Sequence, residues 1–461
     1  MLKATVFREY DIRGIADEDL VDENIVSLGK GIGTFLSRQG AKSLVIGRDI
    51  RLSSERLRNA LIEGLLSTGV NVIDVGVCLT PVQYFGIIHL DADGGVMITG
   101  SHNPIEYNGF KISKRGVAPV YGEEIQEIRK LIEGEDFETG SGELVKKDVI
   151  SDYVDMIKSK LNFGRKLKLV IDAGNGTAGI LAPQLWRDLG CDVVELYCEP
   201  DGTFPNHLPD PTVPKYVVDL QKKVLEVGAD VGIGYDGDTD RVGVIDEKGR
   251  MIFADKLIAI LIREVLQKHP GGKIVFDVKC SQALPEEIIK FGGEPVMYKT
   301  GHSLLKAKMK ELQSPLAGEM SGHIFYSDDF FGFDDAVYVS GRLLRIMSNT
   351  DKTLAELVDE IPSFESTPEI RIEATDEDKF KIVAELSEHF KRSYETIDID
   401  GARVLFGDGW GLVRASNTQP VLVLRFEARS KERLAEIIEI FKSKLREYPS
   451  VKFSDSDFEI A

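Results

Sequence analysis

Short apolar runs alternate with amphipathic stretches through roughly the first 360 residues, and one order of elements returns three times. Leu44-Val45-Ile46-Gly47 predicts a strand, Ser53 to Ser67 a helix, and Val70-Asn71-Val72-Ile73-Asp74-Val75 a second strand. Leu169 to Asp172, a helix near Leu181 to Leu189, Gly190 and Val193 to Leu196 repeat the plan. Ile274 to Asp277, a helix near Leu284 to Phe291, Gly292-Gly293 and Val296 to Tyr298 repeat it again. The units stand roughly 105 to 125 residues apart, too far for a solenoid period. They predict three consecutive α/β domains of similar plan, over 1–145, 146–246 and 247–360, each a mixed sheet with helices on its faces. A further amphipathic helix fits Asp22 to Gln39.

The last hundred or so residues differ. Ile370-Arg371-Ile372-Glu373-Ala374 alternates like a strand with one wet face. A helix fits Asp376 to Tyr394, and short strands fit Val404-Leu405-Phe406, Leu412-Val413-Arg414 and Val421 to Phe426. In a final helix, Lys431 to Tyr448, the residues Leu434, Ile437, Ile438, Phe441 and Leu445 share one face. These elements predict a small α+β domain over 361–461, with the acidic tail after Pro449 loose.

Composition narrows the function classes. The 461 residues are 43% hydrophobic, so each domain can bury a core, and the formal charge is −19. Such a surface repels nucleic acid and anionic membranes, so a site for an anionic substrate must gather its own cations. No apolar run reaches the roughly 18 residues of a membrane helix, and Met1 to Tyr10 lack an apolar signal core. Cys78, Cys191, Cys198 and Cys280 show neither a C-x-x-C pair nor zinc spacing; reduced, buried thiols point to the cytoplasm.

Four loops carry the candidate chemistry. Thr99-Gly100-Ser101-His102-Asn103-Pro104 follows the apolar strand Gly95 to Ile98, so Ser101 is presented at a strand end, where open α/β sheets place ligands. A loop serine with His102 beside it and Lys111 ten residues on suits phosphoryl or acyl transfer. Asp236-Gly237-Asp238-Thr239-Asp240-Arg241 follows Val231 to Gly234, and its alternate carboxylates can converge on one hard cation such as Mg²⁺. Glu319 and Ser321, in Glu319-Met320-Ser321-Gly322-His323, can hydrogen-bond sugar hydroxyls. Arg414-Ala415-Ser416-Asn417-Thr418-Gln419-Pro420 offers a guanidinium, hydroxyls, an amide and loop N–H groups to a phosphate. Taken singly, each also reads as an ordinary polar turn.

Taken together and in order, the motifs T-G-S-H-N-P, D-G-D-T-D-R, G-E-M-S-G-H and R-A-S-N-T-Q-P, with Y-D-I-R-G at 10–14 and K-T-G-H-S at 299–303, resemble the α-D-phosphohexomutase family over essentially the whole chain. The likeness is greatest to its phosphomannomutase/phosphoglucomutase branch. The resemblance implies four domains around a central cleft and interconversion of hexose 1- and 6-phosphates, mannose and/or glucose, through a phosphoserine and a 1,6-bisphosphate. Ser101 would carry the phosphoryl group, and Asp236, Asp238 and Asp240 would hold Mg²⁺ together with it. Lys111, Arg13, His302 and Arg241 would serve the chemistry. Tyr10, Lys279, Glu319, Ser321, His323, Arg414, Ser416, Asn417 and Thr418 would bind substrate. Glucose 1,6-bisphosphate, or its mannose counterpart, would act as activator. The partners implied are sugar phosphates, for a monomer or weak homo-oligomer. Two departures stand out: Thr239, where the family often has glycine, is expected to point outward, and Leu208 stands where a second histidine is frequent. The alternatives are a phosphoglucosamine mutase, disfavoured by Met320 in the third loop, and a Mg²⁺-dependent sugar-phosphate phosphatase, which has little need of a distal phosphate cradle. A silent sugar-phosphate binder is disfavoured by the intact serine and carboxylates.

Overall fold

A computed structural model describes residues 2–416 and 419–458. Among them the strands form four sheets, one after another along the chain. In the first, Gly94–Ile98, Ser43–Arg48, Asn71–Val77 and Leu144–Lys146 run parallel, and Tyr107–Lys114 and Ile12–Ile15 add antiparallel strands at one edge. In the second, Val231–Tyr235, Lys168–Asp172 and Asp192–Leu196 are parallel, with Val242–Asp246 antiparallel beside Val231–Tyr235. The third sets Lys273–Asp277 between Glu294–Tyr298 and Leu316–Gly318, all parallel, and ends on antiparallel Ile324–Tyr326. The fourth is antiparallel throughout, built on Val421–Ala428, Gly409–Ala415, Ala402–Leu405 and Glu395–Ile397. Three mixed α/β sheets followed by an α+β unit is the architecture the apolar runs predict.

The strand runs are apolar on both faces because helices cover both. Gly94–Ile98 and Val231–Tyr235 are buried at every position, as parallel strands between helical layers must be. One apolar core runs without a break from Val45 and Phe85 of the first unit through Leu169 and Trp186 of the second to Phe276 and Leu343 of the third. The fourth unit has a core of its own around Leu424, Phe426 and Phe441. It meets the third through a small apolar contact, Val278 with Trp410 and Leu412. Polar contacts cross the seam as well: Arg403 donates to the carbonyls of Val278 (2.6 Å) and Cys280 (2.8 Å), and Arg425 donates to that of Lys279.

The tail departs from expectation. Lys452 pairs with Glu373, and Phe458 is buried in the fourth core. One of the acidic side chains that suggested a loose end is held by cations: Asp455 pairs with Lys442 at 2.5 Å and with Arg446 at 3.3 Å.

Candidate active site

Loops from the C-terminal ends of parallel strands in the first three units, and the loop after Gly409–Ala415 in the antiparallel fourth, line one cleft of about 430 Å³. Ser101 is 2% exposed and adopts a left-handed φ of 48°. Its Oγ–H donates to Asp236 Oδ2 at 2.7 Å, and the oxygen lies 3.1 Å from His102 Nδ1. Burial, and then Arg241, push the His102 imidazole well below its usual pKa, which keeps it neutral.

Behind Ser101 sit three fully buried carboxylates. One oxygen each of Asp236, Asp238 and Asp240 lies within 4.8 Å of the others. Asp236 Oδ1 accepts the backbone N–H groups of Asp240 (3.0 Å) and Arg241 (3.1 Å), which closes the loop on itself. Asp238 Oδ2 accepts from Thr80 Oγ1 at 2.6 Å and from Lys111 Nζ at 2.7 Å; Lys111 also reaches Asp240 Oδ2. Asp238 Oδ1 and Asp240 Oδ1 are buried with no hydrogen-bond partner among the described residues. Burial and the charges of Asp238 and Asp240 push the Asp236 carboxyl well above its usual pKa. Burial acts on Asp238 in the same sense, but the Lys111 ammonium outweighs it and holds that carboxyl below. Orphaned oxygens, crowded carboxylates and an adjacent serine oxygen fit a hard divalent cation.

Thr239 corrects one expectation. Its side chain points inward, fully buried, with Oγ1 2.8 Å from Thr177 Oγ1. Its φ of 67° accounts for a preference for glycine at this position.

Cations gather in the cleft against the acidic background: Arg8, Arg13, Lys111, Arg241, Lys279, Arg371 and Arg414 all line it. Arg13 donates to Asn103 Oδ1 (3.0 Å) and to Asp11 Oδ2 (2.5 Å). The Tyr10 hydroxyl donates to the Thr300 carbonyl at 2.9 Å and so joins the first unit to the third. Arg241 and His323 form a β-bridge between the second and third units. Arg241 Nε–H donates to His323 Nε2 at 2.9 Å, which places the imidazole proton on Nδ1, 2.9 Å from Asp334 Oδ2. His302 stacks on His323 with ring centroids 5.2 Å apart. Burial, and then His323, keep His302 well below its usual pKa.

Glu319 is held on both sides. Oε1 accepts Gly301 N–H at 2.7 Å, and Oε2 accepts Ser321 Oγ–H at 2.5 Å. Lys279 donates to Glu369 Oε2 at 3.0 Å. Arg414 donates to Asp400 Oδ2 at 2.9 Å, and the same oxygen accepts Thr300 N–H at 3.0 Å. Ser416 Oγ caps the phosphate-type loop by accepting Gln419 N–H at 3.1 Å.

All the candidate side chains among the described residues therefore line this cleft or, for the three aspartates, lie directly beneath Ser101. Asn417 and Thr418 lie outside the described residues. Sequence reasoning missed Thr80, Glu369, Arg371 and Asp334. Glu369 and Arg371 sit beside or on a strand that reads as merely wet on one face, and Asp334 belongs to no loop singled out from the sequence.

Four family models match the chain in order: phosphoglucomutase/phosphomannomutase alpha/beta/alpha domain I over residues 4–139, domain II over 151–249, domain III over 253–364, and the C-terminal domain over 369–443. The chain is 45% identical over 446 residues to a phosphomannomutase/phosphoglucomutase of Pseudomonas aeruginosa, covering 96% of each. It is 41% identical over 451 residues to a phosphoglucomutase of Neisseria meningitidis, covering 97% of this chain and 98% of the relative. A crystal structure of a phosphoglucomutase/phosphomannomutase family protein from Burkholderia thailandensis superposes with a TM-score of 0.91 at 42% identity, over 97% of this chain and 98% of that one.

Proposed function

The chain belongs to the phosphoglucomutase/phosphomannomutase family and is a phosphohexomutase, and from that premise we propose that Ser101 carries the phosphoryl group between the C1 and C6 oxygens of mannose and glucose phosphates. The observation that carries this reading is the Ser101 Oγ, 2.7 Å from Asp236 Oδ2, in a cleft that Arg414 and Ser416 also line.

Phosphoserine101 transfers its phosphoryl group to the free hydroxyl of a hexose 1- or 6-phosphate. The 1,6-bisphosphate so formed turns over in the cleft and returns its other phosphoryl group to Ser101. Asp236, Asp238 and Asp240 are the residues that would hold Mg²⁺ beside Ser101, and the ion supplies positive charge that offsets the charge of the transferring group. Lys111 and Arg13 add fixed positive charge from the chain itself. Arg414 and Ser416 hold the phosphate that is not reacting, and Glu319 and Ser321 hold the sugar.

The proton needs a separate carrier. Asp238 and Asp240 hold the Lys111 pKa well above its ordinary value against the opposing effect of burial, so its ammonium keeps its proton. His302 is kept neutral, and its Nδ1 has no hydrogen-bond partner among the described residues. We assign it as the group that accepts the sugar hydroxyl proton, and the Ser101 oxygen, once its bond to phosphorus breaks, takes up one proton in exchange.

The test supplies mannose 1-phosphate or glucose 1-phosphate with Mg²⁺ and a trace of glucose 1,6-bisphosphate, and follows hexose 6-phosphate and free phosphate together. Formation of hexose 6-phosphate with little free phosphate is expected. Stoichiometric release of phosphate would instead identify a phosphatase.

A further inference from the structure

The loop that presents Ser101 turns several of its carbonyl groups inward, away from the cleft and from water. A single side chain meets them. Arg51, 1% exposed, donates through Nη2 to the carbonyls of Ser101 (2.8 Å) and Asn103 (2.5 Å), and through Nη1 to those of Pro104 (2.7 Å) and Tyr107 (3.0 Å). Asp49 completes the clamp: Oδ1 accepts Arg51 N–H at 3.0 Å, and Oδ2 accepts Gly100 N–H at 3.1 Å. The Phe204 ring, from the second unit, covers the guanidinium with its centroid 5.0 Å away. The fit leaves no room, since a Cβ on Gly100 would lie 2.4 Å from Arg51 Nε.

We propose that Arg51 is the positioning residue of the phosphoryl-transfer step, and that Phe204 locks it in place from across the domain seam. This rests on the reading of Ser101 as the phosphoryl carrier. A planar guanidinium can serve four carbonyls at once, which an ammonium with three donors cannot. By holding the Ser101 carbonyl, Arg51 keeps the residue in its left-handed conformation and aims Oγ at Asp236. Without it, four buried acceptors compete for other partners and the loop relaxes. Phosphoryl transfer depends on in-line alignment, where a displacement of about 1 Å costs roughly 100-fold in rate. The sugar and the distal phosphate are gripped by other loops, so substrate affinity has no reason to change.

The experiment compares Arg51→Lys and Phe204→Leu with wild type. Three quantities are read: kcat and KM for glucose 1-phosphate, the rate at which glucose 1,6-bisphosphate phosphorylates the dephosphorylated enzyme by intact mass, and amide hydrogen exchange over residues 99–107. For Arg51→Lys, kcat and the phosphorylation rate should each fall about 100-fold, with KM held within about threefold. The 99–107 amides should exchange faster while the rest of the first sheet keeps its protection. Phe204→Leu should show the same split with a smaller drop, about tenfold. A folded Arg51→Lys enzyme with kcat within about threefold of wild type, or a loss confined to KM, overturns the proposal. If Arg51→Lys does not fold, Phe204→Leu decides on the same criterion, and an unchanged kcat there overturns it. The exchange measurement needs no turnover. Wild type without phosphate on Ser101 would therefore defeat the carrier reading, whereas unchanged exchange at 99–107 would defeat the clamp.

Discussion

Lys111 Nζ lies 2.7 Å from Asp238 Oδ2 and also touches Asp240 Oδ2, so the ammonium sits on two of the three carboxylates that fit a metal ion. A buried carboxylate cluster repels itself unless a cation is present. Lys111 provides one that cannot dissociate. The metal-free protein should therefore keep its fold when chelation stops turnover.

This separates wild type from Lys111→Met. In wild type, exhaustive chelation should abolish activity and lower Tm by only a few degrees. In Lys111→Met the carboxylates lose their internal cation, at a cost of roughly 3–5 kcal/mol for a broken buried pair. Its Tm should then depend strongly on added Mg²⁺. Scanning calorimetry with and without chelator checks this, and equal metal dependence in the two proteins would refute it.

Ser101→Ala should lower turnover by several orders of magnitude, because no other hydroxyl in the loop 99–104 faces Asp236. Intact mass should show a single phosphate on wild type and none on the variant. Full activity in the variant would remove Ser101 from the mechanism.

Asp335 gives a pH dependence away from the carboxylate cluster. It caps the helix Ala336–Ser348 by accepting Tyr338 N–H at 2.9 Å, and it accepts the Tyr153 hydroxyl at 2.8 Å. Burial raises its pKa from 3.8 to about 7. Between those values the folded protein binds more protons than the unfolded one, so this group makes stability fall as pH rises. Asp335→Asn keeps an oxygen for Tyr338 and cannot ionise. Its stability relative to wild type should improve by about 2–3 kcal/mol between about pH 5 and pH 8. Urea unfolding at the two pH values measures it, and a constant difference would show that Asp335 does not titrate there.

The parts of the site that were legible in the sequence are contiguous. Ser101 with its flanking glycine and asparagine, and Asp236, Asp238 and Asp240 with theirs, pack their chemistry into one loop each behind an apolar strand. What stayed hidden depends on partners far along the chain. Arg51 serves a loop about 50 residues on, Asp334 orients His323, and Glu369 meets Lys279 about 90 residues away. The helices show the same divide. The Asp22 to Gln39 stretch has a wet face and was visible, and the observed helix is Asp22–Ser37. The helix Thr80–His89 is buried from Thr80 through Ile87, so it has no polar face for periodicity to find.

The remaining prediction concerns which sugars the cleft accepts. Each cycle holds the hexose twice, with its phosphate ends exchanged, while Arg414 and Ser416 would form a single cradle. A half-turn that swaps C1 with C6 also swaps O3 with O4 and brings C5 to where C2 had been. Contacts to O3 and O4 survive the turn. A contact dedicated to O2 would face a different group in the second orientation, and a polar group left unpaired in this way costs roughly 1–3 kcal/mol. Glu319 suits the invariant pair: it is 3% exposed and anchored through Gly301 N–H and Ser321 Oγ, so its position does not depend on the substrate. A site built for the turn gains little by reading C2, the centre that separates mannose from glucose. The two 1-phosphates should differ by less than about 100-fold in kcat/KM, or under roughly 3 kcal/mol. Glu319→Ala should impair both by similar factors, since both lose the same contact. Steady-state kinetics of the two substrates, in wild type and in Glu319→Ala, decide the matter. A preference above about 1,000-fold, or a variant that harms one sugar alone, would show that the cleft does read C2.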